Sequence, residues 1–164
     1  MNSELKPLTA KILAKVREDS LFVNWVELSR EYELSEDFIC QYQDRVDWWN
    51  ISGCQRLSEE FIDRYQDKVN WRYISWYQRL SEEFIDRYQD RVDWYFISLC
   101  QQLSEGVIAR YQDRINWRAV SHNERLSEEF IVTHLNKLDL GVIRVRYPEV
   151  YDKYYLDVLQ EMTT

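Results

Sequence analysis

The chain is poor in residues that form turns, since its 164 residues include only three glycines and two prolines. A β-sheet protein or a loop-rich protein normally needs more of these residues, so the composition disfavours both classes. Histidine is also scarce, with two residues, and no apolar run approaches the roughly 20 residues that cross a membrane. Together these absences favour an α-helical protein with few residues suited to metal or acid–base chemistry.

Cysteine is the next scarce residue. Cys40, Cys54 and Cys100 are odd in number and lack CxxC spacing, so we expect free thiols in a reducing compartment and no disulfide framework. Residues 1–16 contain no apolar segment of the kind found in signal peptides. We therefore expect a cytoplasmic protein, which would be the host cytoplasm if the source is viral.

The charge balance is acidic, with a net charge of -8 and a pI of about 4.9. Proteins that bind duplex nucleic acid usually present a basic surface, so this composition disfavours direct nucleic-acid binding. Long-range attraction would instead favour a basic partner, including a nucleic-acid-binding protein. The content of hydrophobic residues, 45%, is typical of a folded domain, and the aromatic content of 15% is high.

One pattern recurs every 23 residues. Its copies begin at Leu34, Leu57, Leu80, Leu103 and Leu126, and the clearest are LSEEFIDRYQDKVNWRYISWYQR (57–79) and LSEEFIDRYQDRVDWYFISLCQQ (80–102). Within a copy, the apolar positions exemplified by Phe61, Ile62, Tyr65 and Val69 share one helical face. Trp71 and Ile74 form a second, shorter stripe, so each repeat predicts two helices.

Capping residues support the division into two helices. Ser58 is positioned to cap the first helix, with Glu59 and Glu60 in the first turn, where the helix dipole favours anions. Asn70 is positioned to cap the second helix. The spacing of the two caps predicts helices of roughly 11 and 8 residues, which are marginally stable alone and need stacking between repeats.

The sequence therefore predicts an all-α fold, a short α-solenoid of five to six two-helix repeats in a single domain, 1–164. We expect an N-terminal cap over 1–33, with one helix from Thr9 to about Asp19, and repeats over 34–145. A C-terminal cap over 146–164 should contain a helix that Pro148 opens and that ends near Glu161. Capping segments of this kind shield the ends of a repeat core.

The LSEEFI…DWxxIS pattern, which covers about residues 24–145, resembles short repeats in uncharacterised proteins of bacteriophages, large DNA viruses and some bacteria. In size the unit is similar to the leucine-rich variant repeat, although the Trp- and Tyr-rich residues here differ from that consensus. The resemblance implies a solenoid and a viral source. It carries no catalytic residues to this chain.

No sequence motif indicates an enzyme. HExxH, GxSxG and glycine-rich phosphate loops are absent from the sequence, so we expect no catalytic residues, no bound metal and no cofactor. The paired acids such as Glu59 and Glu60 are explained by helix capping. Asp44, Asp67 and their equivalents Asp90 and Asp113 each precede a Lys or Arg, and we expect them either to cap helices or to pair between neighbouring repeats, where exposed pairs contribute little. A periodic row of acids is also the pattern that mimicry of nucleic acid would produce.

The variable positions of the second helices are the candidate binding surface. Solvent-facing positions without a function usually hold Lys, Glu or Ser, whereas these hold residue types that are enriched at interface hot spots. Some of them could instead complete the core between repeats. The candidate partner-binding residues are Trp49, Arg72, Tyr73, Trp76, Tyr77, Tyr95, Phe96, Leu99, Arg118 and His122.

Four functions follow from these patterns. The first is a non-enzymatic module that binds a protein through an aromatic ridge on the second helices. The alternative is a phage or viral inhibitor of a host defence nuclease, similar in role to an anti-CRISPR protein, acting through the ridge or through an acidic face that mimics nucleic acid. Single-stranded nucleic acid could stack on the aromatics, although the net charge opposes it. Enzymatic activity has the least support, and the ridge could also mediate homo-oligomer formation.

Overall fold

Helix capping at regular intervals sets the secondary structure. The computed structural model describes residues 5–18, 23–123 and 125–161, with side chains up to 154. Over these ranges it contains thirteen helices and one isolated β-bridge, between Lys6 and Tyr32. The first helices are α1 (Ala10–Glu18), α2 (Trp25–Glu31), α3 (Glu36–Gln41), α4 (Trp48–Cys54), α5 (Glu59–Arg64), α6 (Trp71–Tyr77) and α7 (Glu82–Arg87). The remaining helices are α8 (Trp94–Cys100), α9 (Glu105–Arg110), α10 (Trp117–Val120), α11 (Glu128–Thr133), α12 (Leu140–Arg146) and α13 (Pro148–Glu161).

The predicted all-α repeat fold is confirmed. The Ser58 side chain accepts a hydrogen bond from the Phe61 N–H, and Asn70 accepts one from the Tyr73 N–H, as expected of N-caps. The same arrangement recurs at Ser35, Asp47, Ser81, Ser104, Asn116, Ser127 and Asp139. The terminal helices also lie where they were predicted, although Asp19 lies outside the described residues.

The first helix of each repeat is shorter than predicted. α5 has six residues, and its C-cap is Tyr65, where the backbone leaves the helical conformation at φ -110° and ψ 27°. A separate turn follows, in which the N–H groups of Lys68 and Val69 both donate to the Tyr65 carbonyl. The Trp71 indole N–H donates a hydrogen bond of 2.9 Å to the Gln66 carbonyl. This carbonyl therefore has a side-chain partner in place of a helical N–H. The helical periodicity therefore spans a helix and a turn.

Isoleucines from most of the repeat helices are the most deeply buried side chains of the core. Ile62 of α5 and Ile74 of α6 have no exposed surface. Their equivalents are equally buried, namely Ile39, Ile51, Ile85, Ile97, Ile108, Ile131 and Ile143. α5 also buries Phe61, so a helix this short contributes only two large apolar side chains to the core.

Contacts group the chain into two compact units, residues up to Asp93 and residues from Trp94 onward. In the first unit α4 packs against both α2 and α6, so neighbouring second helices lie side by side. In the second unit α8 packs against α10, and α13 packs against α11 and α12. The second helices, which carry the candidate surface, are thus held by their equivalents in adjacent repeats.

A buried serine links each second helix to the next repeat. The Ser52 hydroxyl donates to the Trp48 carbonyl at 2.7 Å and accepts from the Asn70 N–H at 2.8 Å. The same pair of bonds occurs at Ser75 in the first unit and at Ser98 and Ser121 in the second. The hydroxyl therefore bonds to the preceding turn of its own helix and also to the N-cap residue of the following repeat.

A buried glutamine forms a second link, which sequence reasoning missed. The Gln78 side-chain amide donates to the carbonyls of Ser52 and Gln55, at 3.0 and 2.8 Å. Its oxygen accepts from the Leu57 N–H at 3.1 Å. Gln55 makes the same three bonds to the preceding repeat. One side chain thus satisfies three backbone groups in the chain segment that joins two repeats.

Candidate functional site

Four aromatic side chains of α4 and α6 form a continuous cluster in the first unit, named here the aromatic patch: Trp49, Tyr73, Trp76 and Tyr77. The Trp49 ring meets Tyr73 edge-on at 4.9 Å between centroids. Tyr73 stacks with Trp76 at 6.5 Å and with Tyr77 at 5.8 Å, and the Trp76–Tyr77 pair lies at 4.7 Å. Such contacts contribute about 0.5–1.5 kcal/mol per pair beyond surface burial, so the rings stabilise each other's positions.

The patch faces solvent as predicted. Trp49 is 58% exposed, Trp76 40% and Tyr77 41%, whereas Tyr73 at the centre is half-buried. This orientation follows from α6, because Ile74 and Ser75 occupy the packed side of that helix and are fully buried. The residues on the opposite side must then project outward.

Gly53 makes room for the central ring. A Cβ atom at this position would lie 3.3 Å from the Tyr73 ring and 3.6 Å from the Tyr77 ring. The equivalent positions hold Arg30, Trp76, Leu99 and His122. A Cβ atom at residue 53 would press on the edge of the Tyr73 ring and make an ordinary contact with Tyr77, so the glycine lets Tyr73 lie close against α4.

The tryptophan at the start of each second helix has a different role. Trp71 is half-buried, and its ring lies 4.7 Å from Tyr88 and 6.2 Å from Phe84, both in the next repeat. Trp48 makes equivalent contacts to Tyr65 and Phe61. These tryptophans join repeats and are not part of the patch.

In the second unit the candidate residues have mixed environments. Tyr95 is 54% exposed and Leu99 is 52% exposed, and His122 is also exposed. Arg118 projects into solvent and makes a long ion pair with Asp139 at 3.5 Å. These four side chains are therefore accessible to a partner.

The expectation that Phe96 faces solvent is wrong, because this side chain is only 5% exposed. It is the third residue of α8, next to the fully buried Ile97. Its equivalents Asn50, Tyr73 and Ala119 are half-buried, which shows that this position lies at the edge of the packed face. An apolar ring there completes the core, so Phe96 does not belong to the binding surface.

A cavity of about 370 Å³ lies beside α8 and α10 in the second unit. α10 has only four residues, where α4, α6 and α8 have seven. The cavity is lined in part by Leu99, Cys100, His122 and Asn123. Desolvation raises the pKa of the Cys100 thiol, which opposes the thiolate form that nucleophilic chemistry requires.

The described cysteines are free thiols and do not belong to a metal-binding group. All three cysteines are free, as predicted, and burial is the main cause of the raised pKa of the Cys54 thiol. Within the described ranges, no group of three His, Cys, Asp or Glu side chains is arranged to hold a metal ion.

The recurring acids make contacts between repeats. As predicted, Asp44 pairs with Lys68 at 3.1 Å and Asp67 pairs with Arg91 at 2.8 Å. The glutamate that begins the first helix of a repeat also contacts the next repeat. Glu36 accepts hydrogen bonds from the Ser58 N–H and hydroxyl, at 2.6 and 3.1 Å. Glu59 and Glu105 accept the same two bonds from Ser81 and Ser127.

Arginines accompany the aromatic patch. Arg72 lies within α6, and Arg56 and Arg79 directly follow the C-caps of α4 and α6. All three are exposed. Segments 48–56 and 71–79 contain these three arginines and no acid. This local charge is opposite in sign to the net charge of the chain, and sequence reasoning included only Arg72.

Comparisons with protein families, curated proteins and solved structures find no match for this chain. None of the helices in the described ranges combines the length and apolar character needed to span a bilayer. The aromatic patch therefore has to be interpreted from its own geometry.

Proposed function

We propose that this chain is a non-enzymatic repeat module that binds another protein through the aromatic patch on its second helices. The observation that carries the proposal is the exposure of Trp49, Trp76 and Tyr77 around a half-buried Tyr73. Contiguous exposed apolar surface mostly marks an interaction site, and Trp and Tyr are the residues most enriched at hot spots.

The rigidity of the patch supports the same function. Each ring contacts at least one other ring, and α4 and α6 are joined by the bonds of Ser52 and Gln78. Side chains already held in place lose little conformational entropy when a partner binds. The patch is thus prepared for association in the free protein.

Mimicry of nucleic acid, as in an inhibitor of a host nuclease, needs an open row of acids. Glu36, Glu59 and Glu105 are hydrogen bonded to the next repeat, and Asp44 and Asp67 are paired with basic residues, whereas Glu60 and Glu83 remain exposed. Inhibition of a nuclease through the aromatic patch is still compatible with the proposal. We therefore place the binding surface on the patch.

The proposal is tested with a double variant, Tyr73→Ser/Trp76→Ser, used as bait in nuclease-treated lysate. We expect the far-UV circular dichroism spectrum to match that of the wild type, and at least about 100-fold weaker binding of the captured protein, because hot-spot aromatics contribute about 2 kcal/mol or more each. Val145→Ser, which changes an 81% exposed apolar residue away from the patch, is the control. Unchanged capture by a folded double variant would refute the proposal.

Two further measurements separate the other functions. Nucleic acid retained in a parallel experiment without nuclease would indicate single-strand binding by base stacking. Sedimentation equilibrium of the wild type and the double variant tests self-association, since a dimer formed through the patch would dissociate in the variant. The second-unit residues are mapped separately with Tyr95→Ser/Leu99→Ser.

A further inference from the structure

Arg56 and Arg79, which directly follow the C-caps of α4 and α6, differ from the basic residues that pair between neighbouring repeats. Lys68 and Arg91 lie in the turns after the first helices, and each pairs with an aspartate of the preceding repeat. In the part of the chain that the structure describes, Arg56 and Arg79 make no salt bridge, side-chain hydrogen bond or ring contact. The chain has 29 acidic residues against 21 basic ones, and these two exposed guanidinium groups, at equivalent positions of neighbouring repeats, have no acidic partner within the described residues.

The region of positive charge is small and has defined edges. On the α2 side, Glu33 occupies the position equivalent to Arg56 and Arg79, and Glu31 is held by Lys6 and Arg30. The segment between α4 and α6, residues 57–70, carries the four acids Glu59, Glu60, Asp63 and Asp67 and the two basic residues Arg64 and Lys68. Segments 48–56 and 71–79, which contain α4, α6 and the aromatic patch, therefore carry positive charge and no acid.

From this coincidence we infer that the partner segment is acidic: a polypeptide stretch in which aspartate or glutamate side chains flank an apolar or aromatic anchor. The anchor would pack on Trp49, Trp76 and Tyr77, and its carboxylates would accept paired hydrogen bonds from Arg56 and Arg79. Arginine suits this contact because its planar group donates two parallel bonds to one carboxylate. The inference rests on the proposed function and reverses the expectation of a basic partner, which came from the net charge.

Single-stranded nucleic acid also combines negative charge with stacking, but its dimensions fit the surface less well. Such ligands extend over about 4–16 nucleotides and follow a positively charged groove. Here the positive region covers two short helices, and the adjoining first-helix segments carry exposed acids such as Glu60 and Glu83. A phosphate backbone that crossed the patch would meet these acids, whereas a short acidic peptide ends before it reaches them.

The test is a selection from a displayed library of random twelve-residue peptides on the full-length protein. Peptides enriched on the wild type and lost on Tyr73→Ser/Trp76→Ser define ligands of the patch, and their average charge is the readout. We expect these ligands to be rich in Asp and Glu. The strongest one is then synthesised with a fluorescent label and titrated by anisotropy, beside a labelled oligo(dT) of twelve nucleotides.

Charge variants measure how much the arginines contribute to the affinity for the selected peptide. Arg56→Gln/Arg79→Gln should weaken the selected peptide about 5- to 30-fold at low salt, as expected for two charged contacts at an interface rim. The factor should shrink as salt is raised, because exposed charges are screened. Arg45→Gln/Arg64→Gln removes the same charge from exposed first-helix and turn positions, and we expect less than about a twofold change.

Each result has one consequence. Acidic ligands that depend on Arg56 and Arg79 support the inference. Basic or uncharged ligands, or oligo(dT) that binds more tightly than the selected peptide and depends on the same arginines, overturn the inference and leave the patch as a binding site. If no enriched peptide is lost on the aromatic double variant, the proposed function itself fails.

Discussion

The Gln78→Ala substitution tests whether side-chain amides hold neighbouring repeats together. Gln78 is buried, and its side chain makes bonds of 2.8–3.1 Å to one N–H and two carbonyls. Truncation would leave all three backbone groups without this partner. A buried group left unsatisfied costs about 1–3 kcal/mol, and water that enters the space recovers part of it. We expect the free energy of unfolding to fall by about 3–5 kcal/mol.

The measurement is equilibrium unfolding in urea, followed by circular dichroism at 222 nm and by tryptophan fluorescence. Gln102→Ala is the matched control, since Gln102 is exposed and a surface change of this kind costs less than about 0.5 kcal/mol. A second variant, Gln78→Glu, should be at least as destabilising at neutral pH, because a carboxylate would face the two carbonyl oxygens. If Gln78→Ala and Gln102→Ala shift the midpoint equally, the glutamine bonds do not hold the repeats.

Three further predictions concern the repeat, the two classes of tryptophan and one buried phenol. Deletion of residues 57–79 removes one unit in register and should leave a helical, cooperatively melting protein, whereas deletion of 57–67 should abolish the melting transition; equal damage would refute the 23-residue unit. Trp71→Ala should cost about 3–5 kcal/mol in urea unfolding, because Trp71 joins two repeats, and Trp76→Ala should cost less than half as much; equal costs would refute the outward placement of Trp76. Burial, followed by a hydrogen bond to a carboxylate, raises the pKa of Tyr88, so its contribution to stability is present below the ordinary phenol pKa and is lost as pH rises through the folded value. The pKa of Tyr65 is raised as well, so absorbance at 295 nm should show more than one late-titrating phenol, and Tyr88→Phe should remove one of them; an unchanged titration curve would contradict the assignment.

Much of the fold followed from the sequence because the signals involved are local. A serine or asparagine followed three residues later by an N–H that needs a partner specifies a helix start. Copies of that signal 23 residues apart predicted the order of the helices, and the apolar stripes predicted which isoleucines are buried. The outward position of Trp49 and Trp76 followed from the same periodicity.

Tertiary structure decided the features that depend on a neighbouring repeat. The first helix ends early at Tyr65, with the Gln66 carbonyl bonded to an indole five residues later. Periodicity cannot detect this end, because the apolar stripe continues through the turn. Phe96 is core for a similar reason: burial at the edge of a helix face depends on what packs beside it.

The composition of the binding surface shows the same division. The sequence identified the aromatic residues, since their type is unusual for solvent-facing positions. Only the packing of α4 beside α6 brings Tyr73 over Gly53 and gathers four rings into one patch. Likewise, the sequence determined a net charge of -8, but the fold decided which charges are paired and left Arg56 and Arg79 exposed without an acidic partner. Net charge is a sum over the chain, whereas the field at a binding site depends on charges within about a Debye length, roughly 8–10 Å.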